Sequence, residues 1–497
     1  METTETIKEA RAVLCDRLRN ACIRGMSRKA KPTQLLRRLF SASPRTVTTK
    51  STAPRLASRT ACYDGLRGVA CLVVFNFHFL YPYTRTITHG FGTASDEIQP
   101  HQLPFICLLV RGRAMVTLFF AISGYVLSYG FLSTSTAQSD AQLLKGFSRL
   151  TSLTLRRWMR LYLPATFSML LVMFGAFFGA FDAGHKFQET SPWLTGLSEQ
   201  HPPSFSSFAK QLRDFVGMWW AWATPFQWRL FYSGYDPHTW TIPVEFKGSM
   251  VLFVLLLASG GLKQRWRLVL FALTTAYCFA SERWDVAAFI GGVLVADIHL
   301  WQTWKATEEV DNLDLPRTTS SGRATTSRQR IAAYALMTIK TIVFIAALYV
   351  LSFPDDVPER TPGFSWLYRI TPPMYKTGST RPYLFWHALS ALFVIWCIRQ
   401  FYYVDAFFCL YVPQYLGKIS YALYLVHGPL LHSAGFAMQP RIFQAVEDSL
   451  RGWLGALILG WLTMLGLSVL VAHLFWKIVD VSLVRMAKWL EAKASRR

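Results

Sequence analysis

The sequence has few acidic residues and little charge of either sign. Of its 497 residues only 29 are Asp or Glu, against 52 Lys or Arg; charged residues make up 16% of the chain and hydrophobic residues 52%. A chain this apolar, with long apolar runs, is not typical of a soluble enzyme. The composition therefore indicates a multi-pass membrane protein.

Paired cysteines and a signal peptide are also lacking. The eight cysteines include no Cys-x-x-Cys pair, so we expect neither a disulfide framework nor a zinc site, and no other metal-ligand set is predicted. Residues 1–60 are polar, basic and rich in Ser and Thr, without the apolar core of a signal peptide. We interpret them as a cytosolic, largely disordered tail; mitochondrial targeting is the less favoured alternative.

The net charge of +23 does not point to nucleic acid, because the basic residues are not interleaved with aromatic residues on a compact soluble domain. They lie in the N-terminal tail, in particular loops and in residues 481–497, interpreted as a basic cytosolic tail. This asymmetry is typical of the positive-inside rule and predicts that both termini are cytosolic, in an endomembrane or the plasma membrane. The aromatic-rich segment 182–237 is then expected on the opposite face, as an interfacial lid or a plain anchor.

Apolar segments of about the length of a bilayer crossing recur through residues 61–480. They predict an all-α integral membrane protein, a bundle of about ten transmembrane helices. The predicted spans lie near 63–83, 114–132, 161–181, 240–259, 266–281, 284–301, 331–352, 382–400, 415–435 and 453–476.

Arg67 and His78 lie eleven positions apart in the first predicted span. Eleven steps of about 100° return to nearly the same helical face, with His78 roughly 16 Å further along the axis. A guanidinium near the interface can hold a phosphate, and an imidazole deeper inside can take a proton. Alternatively, Arg67 extends to the lipid headgroups and His78 bonds a neighbouring helix.

Arginines and a carboxylate also border apolar segments. Arg157 and Arg160 precede the third span and form a fork suited to phosphate, although interfacial anchoring explains them as well. In the fourth span Pro243 is expected to interrupt the backbone hydrogen bonds close to Glu245. A buried Glu245 needs a hydrogen bond or a cationic partner, and Arg or His from another span is the natural one.

In the ninth span Ser420, Tyr424 and His427 share one helical face, and Pro429 is expected to kink the helix just beyond them. Each polar group alone is explained by helix packing. The coincidence of several polar faces favours a common site.

Five motifs occur in a fixed order along the chain: Tyr-Asp-Gly-Leu-Arg-Gly at 63–68 followed by His78, Phe-Phe-Ala-Ile-Ser-Gly-Tyr at 119–125, Arg-x-x-Arg at 157–160, Trp-Thr-Ile-Pro-Val-Glu at 240–245, and Gly-Lys-Ile-Ser-Tyr-Ala-Leu-Tyr-Leu-Val-His at 417–427. This order resembles the acyltransferase 3 family of integral-membrane O-acyltransferases. The fourth motif departs from the family pattern, which commonly has Ser and Leu at positions 241 and 242 and lacks the proline.

The resemblance implies transfer of an acyl group, usually acetyl from acetyl-CoA, to a hydroxyl of a carbohydrate, lipid or small metabolite. It associates Arg67 and His78 with activity, and Arg157 and Arg160 with the acyl donor. We predict that His78 and Glu245 are catalytic and that His78 is the general base. The residues predicted to bind acyl-CoA are Arg67, Arg157 and Arg160. The residues predicted to contact the acceptor are Asp64, Tyr421, Tyr424 and His427.

Two other functions use the same buried charges. In a transporter the His and Arg groups would form a proton or anion path, although no repeat between the two halves of the chain supports this. In a transmembrane acyl carrier they would pass acyl groups to a separate enzyme. The sequence leaves these alternatives open.

Overall fold

A computed structural model describes residues 60–93, 98–135, 140–311, 327–378, 380–446 and 449–494. The described residues form helices and loops and contain no β-strand, which confirms the all-α prediction for this part of the chain. The predicted N-terminal tail lies almost entirely outside the described residues.

Helices occur at each of the ten predicted spans, with shorter helices between them. In chain order they are α1 Ala61–Leu80, α2 Gly112–Ser135, α3 Asp140–Phe177, α4 Asp182–Thr190, α5 Phe208–Ala223, α6 Thr241–Ser259, α7 Gln264–Ala280, α8 Trp284–Asp311, α9 Ser327–Leu351, α10 Ser365–Ile370, α11 Met374–Thr377, α12 Pro382–Ile398, α13 Tyr402–Phe408, α14 Tyr411–Leu430, α15 Phe436–Gln444, α16 Leu450–Phe475 and α17 Val481–Ala494.

Six helical segments of the described chain are long and apolar enough to cross a membrane. They comprise α2, α3, α6 with the turn before it, most of α8, most of α9, and α16 continued into α17. A seventh candidate is α12 with α13, a pair bent by 101°. The other predicted spans correspond to α1, α7 and α14, so a count of about ten crossings stays a prediction.

One predicted boundary and one predicted helix break differ from the structure. α3 begins at Asp140 and has 38 residues, so Arg157 and Arg160 lie inside a continuous helix rather than before it. At 1.5 Å per residue it is about 57 Å long, more than the roughly 30 Å hydrocarbon core. The interruption predicted at Pro243 is wrong, because Pro243 lies in the first turn of α6, where its missing N–H has no helical partner to lose.

The helices that carry the motifs pack at very close range. A Cβ atom at Gly68 of α1 would collide with the backbone of Gly417 in α14, and one at Gly124 of α2 would collide with Phe289 in α8. Small residues permit such approaches between apolar helices. The Tyr-Asp-Gly-Leu-Arg-Gly and Gly-Lys-Ile-Ser motifs thus fix α1 against α14, and this contact orients Arg67 and His78.

The end of α14 is irregular, as its proline predicts. A π-helical turn, Leu431–Gly435, begins two residues after Pro429 and continues into α15. Such turns often occur at functional sites. This one places His432 beside the segment that connects α4 and α5.

Candidate active site

His78 lies at one end of a cavity of about 420 Å³, which we call the histidine cavity. Its walls are mainly aromatic and aliphatic, and its polar lining includes His78, Glu199, His238, Arg113 and Tyr424. A cavity of this size, apolar with a few convergent polar groups, is typical of a small-molecule site.

Glu199 holds the imidazole of His78 in one orientation. His78 Nδ1 lies 2.6 Å from Glu199 Oε1, and His432 Nε2 lies 2.7 Å from Glu199 Oε2. An ionised carboxylate only accepts hydrogen bonds, so both rings donate to it. With the proton assigned to Nδ1 in this way, the lone pair of a neutral His78 lies on Nε2, available to the histidine cavity.

The surroundings of Glu199 favour its ionised form. It lies in the connection between α4 and α5, outside the candidate spans, and its side chain is 11% exposed. Burial by itself would raise the pKa of this carboxyl, but the neighbouring rings of His78 and His238 and the hydrogen bonds from His238 and His432 outweigh burial. Together they hold the pKa of Glu199 well below its ordinary value.

His238 is a second imidazole in direct contact with His78. Its Nε2 lies 3.0 Å from His78 Nδ1 and 3.4 Å from Glu199 Oε2, while its Nδ1 lies 2.9 Å from Asp236 Oδ1. Asp236 and His238 belong to the turn that leads into α6. The 182–237 segment is therefore more than an interfacial anchor, since it supplies both carboxylates of this cluster.

His427 approaches the same cluster from α14. Its ring centroid lies 5.3 Å from that of His78, and its Nδ1 lies 2.8 Å from the Tyr424 carbonyl oxygen. Its Nε2 is buried and has no hydrogen-bond partner among the described residues. The sequence placed His427 with the acceptor, and the structure places it within reach of the general-base candidate.

His78, His238 and His427 could also hold a metal ion. Each offers one ring nitrogen, and these atoms lie within 4.8 Å of one another. Three imidazoles are a common ligand set for zinc. In the structure His78 and His238 also contact the carboxylates of Glu199 and Asp236, an arrangement that suits proton transfer and that also occurs around metal-bound imidazoles. The sequence predicted no metal site, and that expectation stays a prediction.

A second, narrow cavity of about 40 Å³ continues from the first toward Arg67. The two cavities share four lining residues: Val74, Val116, Thr241 and Tyr424. Of these two cavities, Arg67 lines the narrow one alone and His78 the histidine cavity alone, so the two ends of one α1 face open into successive spaces.

Glu245 lies in the narrow cavity, away from His78. Its Oε1 accepts a hydrogen bond from Arg157 Nη2 at 2.8 Å and another from Ser123 Oγ at 3.2 Å. Arg157 also donates from Nε to Ser249 Oγ at 3.0 Å. The buried Glu245 thus has the arginine partner that the sequence analysis anticipated. The carboxylate beside His78 is Glu199 instead.

A third cavity, of about 330 Å³, lies beyond Arg157, and we call it the basic cavity. Its basic lining residues are Arg156, Arg157, Arg160 and Lys488. Arg157 is committed to Glu245, and Arg156 pairs with Glu491 at 3.0 Å. Neither Arg160 nor Lys488 has an ion-pair partner within the described ranges, so both can bind an anion.

The other predicted acceptor residues differ in their surroundings. Tyr421 lines the narrow cavity and donates to the Leu161 carbonyl oxygen. Tyr424 lines both cavities, donates to the carbonyl oxygen of His238 and contacts Thr241 Oγ1 at 2.7 Å. Asp64 is exposed in the first turn of α1 and lines none of the three cavities.

Comparison with known families decides what kind of protein carries this arrangement. The profile of the family described as an acyltransferase domain matches residues 60–476. The chain belongs to the acyltransferase 3 family. It is therefore an acyltransferase, and the three cavities lie within the matched domain except where α17 contributes to the basic cavity.

Fungal acyltransferases are similar to this one over most of their length. O-acetyltransferase PaAT-1 of Phomopsis amygdali is 27% identical over 453 residues, covering 88% of this chain and 85% of the relative. Acyltransferase clz18 of Cochliobolus lunatus is 27% identical over 413 residues, and acyltransferase R4 of a Phoma species is 27% identical over 428 residues. Each of these two alignments covers 77% of this chain and 85% of the relative. No solved structure gives a significant match.

Proposed function

We propose that this acyltransferase moves an acyl group, most simply acetyl, from acyl-CoA to a hydroxyl group of a small-molecule acceptor, with His78 as general base. The observation that carries the proposal is the order of three cavities. The histidine cavity shares four lining residues with the narrow cavity, and the Arg157–Glu245 pair lies between the narrow cavity and the basic cavity. Cations able to bind phosphate therefore lie on one side of the narrow cavity, and an imidazole able to take a proton lies on the other. Each end suits one of the two substrates.

The donor is proposed to bind with its nucleotide in the basic cavity and its thioester directed inward. Arg160, with Arg67 further inside, offers charge-assisted hydrogen bonds to phosphate oxygens. Arg67 and His78 are separated by roughly 16 Å along α1. The extended pantetheine arm of CoA can span that distance through the narrow cavity, which brings the acyl carbonyl to the histidine cavity.

His78 Nε2 is proposed to remove the proton of the acceptor hydroxyl as its oxygen attacks the thioester carbonyl carbon. The carbon–sulfur bond then breaks, and the protonated His78 returns the proton to the departing thiolate. Glu199 stabilises the imidazolium that forms between these two steps. The reaction gives an ester and free CoA, with no covalent enzyme intermediate.

The lining of the histidine cavity favours an apolar acceptor. Phe77, Tyr81, Trp240, Trp284 and Tyr383 contribute broad apolar surfaces, and the cavity has room for a compact molecule rather than a long polysaccharide. A hydroxylated lipid or small metabolite fits better than a carbohydrate chain. Arg113 also lines the cavity, but its Nη1 lies 3.9 Å from Oδ2 of the buried Asp355, so its charge already has a partner in the protein.

The protein is proposed to be a multi-pass membrane enzyme with both termini in the cytosol, where CoA is available. A protease site within residues 1–50 should then be cleaved from outside sealed microsomes, and a glycosylation acceptor within 182–237 should be modified. A protected tail or an unmodified loop in correctly inserted protein would contradict this orientation and the donor path.

The decisive experiment compares metabolites from cells that carry the wild-type gene with those from cells that carry His78→Ala. Loss of one acetylated compound in the variant, with its free alcohol accumulating, would identify the acceptor. Purified protein supplied with that alcohol and acetyl-CoA should then release CoA and the ester in equal amounts. Movement of a solute without CoA release would instead favour a transporter. CoA release without an ester of the alcohol would favour an acyl carrier.

A further inference from the structure

The C-terminal helix α17 lies against the donor end of the enzyme. The sequence suggested only a basic tail over residues 481–497, whereas residues 481–494 form a helix that packs against α3. The family match covers residues 60–476, so α17 lies outside the matched residues. Ala487 is 2% exposed, which shows that this helix has a buried face.

That face completes the basic cavity. Val484, Ala487 and Lys488 line it, and these positions lie on one side of a helix because they are three and four residues apart. Glu491, one turn further along, pairs with Arg156 of α3 at 3.0 Å between Oε2 and Nε. This ion pair joins α17 to the helix that carries the donor arginines.

The cations of the basic cavity are not equivalent. Arg157 is buried and bonded to Glu245 and Ser249, and Arg156 is bonded to Glu491 and Ser152. Lys488 is exposed, lines the side of the cavity that α17 forms, and has no ion-pair partner among the described residues. Its charge is therefore free for an anion that enters from outside.

We propose that α17 is part of the donor site and that Lys488 binds the 3′-phosphate of the CoA nucleotide. The inference rests on the proposed acyl-CoA donor. In CoA the diphosphate lies between the pantetheine arm and the ribose, and the 3′-phosphate is on the ribose, further from the thioester. With the thioester near His78, Arg67 and Arg160 meet the diphosphate. Lys488, which lines the wall of the basic cavity that α17 forms, meets the 3′-phosphate.

The test uses full-length purified enzyme, two donors and matched variants. Lys488→Gln should raise the KM for acetyl-CoA by about 10- to 100-fold with little change in kcat, because one charge-assisted contact to phosphate is lost. Arg485→Gln removes a charge from the same helix outside the cavity lining and should leave the KM within about twofold. Lys488→Arg, which keeps the charge, should restore most of the affinity.

The second donor is 3′-dephospho-acetyl-CoA, which lacks the phosphate in question. With this donor the wild type and Lys488→Gln should have the same KM within about twofold, since the contact is absent in both. If Lys488→Gln raised the KM equally for both donors, the assignment to the 3′-phosphate would be overturned. If Arg485→Gln raised the KM for acetyl-CoA as much as Lys488→Gln does, the effect would come from the overall charge of α17, and the assignment to Lys488 would be overturned. If wild-type enzyme used neither donor, the acyl-CoA function itself would fail.

Discussion

The two ends of the cavity row use charge in different ways. The basic cavity holds guanidinium groups that stay charged at any physiological pH, two of them already bonded to carboxylates of the protein. The histidine cavity holds imidazoles that can change charge near neutrality, gathered around Glu199 and Asp236. Fixed positive charge suits the holding of a phosphate, and exchangeable charge suits the transfer of a proton.

The two ends also differ in how the chain assembles them. The arginine end depends on neighbouring positions of α3, with Glu245 of α6 and one face of α17 as partners. The histidine end joins α1, the α4–α5 connection, the turn before α6 and the π-helical turn after α14. A structure built from distant segments is more sensitive to their relative placement, so substitutions there are expected to have the larger effects.

The largest effect is expected at His78. His78→Ala should lower kcat by about 10² to 10⁴-fold, because a positioned general base contributes that much. The initial rate of ester formation measures this, with expression and membrane insertion compared in parallel. Near-normal product from a well-inserted variant would remove His78 from the mechanism.

Glu199→Gln is expected to lower kcat by about 10- to 100-fold with a smaller change in either KM, because the variant loses the charged partner of the imidazolium. Here the carboxylate acts through His78 rather than on substrate. A change confined to the acceptor KM would show that Glu199 binds the acceptor instead.

The same variant gives a pH signature. The pKa of Glu199 is held below its ordinary value of 4.5, so its contribution to stability is fully present above that value and is lost as the pH falls through the lower, folded-state pKa. The difference in unfolding free energy between wild type and Glu199→Gln should therefore be constant at neutral pH and shrink in acid. Thermal unfolding in detergent between about pH 3 and 7 measures it. A difference that grew in acid would contradict the assigned direction.

Substitution of Arg160 is expected to weaken donor binding, whereas substitution of Arg157 is expected to destabilise the fold. Arg160→Ala should raise the KM for acyl-CoA by about 10-fold or more, because Arg160 lines the basic cavity and has no ion-pair partner among the described residues. Arg157→Ala leaves Glu245 unpaired and should destabilise the fold by about 3–5 kcal/mol. Adding Glu245→Ala to Arg157→Ala should recover part of the lost stability. An acceptor KM that moved with Arg160→Ala would mean that the donor site is misplaced.

How much of this site can be predicted depends on sequence separation. The shared face of Arg67 and His78 follows from helical periodicity, and the Arg157–Glu245 contact follows from the need of a buried carboxylate for a cation. Glu199 carries no such signal, because it lies in a polar connection without periodicity and becomes part of the site only when that connection folds over α1. Likewise, the position of His432 depends on the π-helical turn. Pro429 predicts that the helix is disturbed there, but it does not predict which side chains the disturbance turns toward Glu199.

The smallest effect is expected from metal removal. We expect His78, His238 and His427 to exchange protons rather than to bind a metal ion. Dialysis against a strong chelator should then leave the rate of ester formation unchanged within about twofold. Elemental analysis of the untreated enzyme should find less than one transition-metal ion per chain. The reason is that a neutral imidazole has one lone pair, and a metal at His78 would take the lone pair that the hydroxyl proton needs. If the enzyme contained one metal ion per chain and lost its activity when that ion was removed, the difference between the two ends would disappear. The histidine cavity would then carry a fixed positive charge, as the basic cavity does, and the acceptor hydroxyl would be activated by a metal ion rather than by an imidazole.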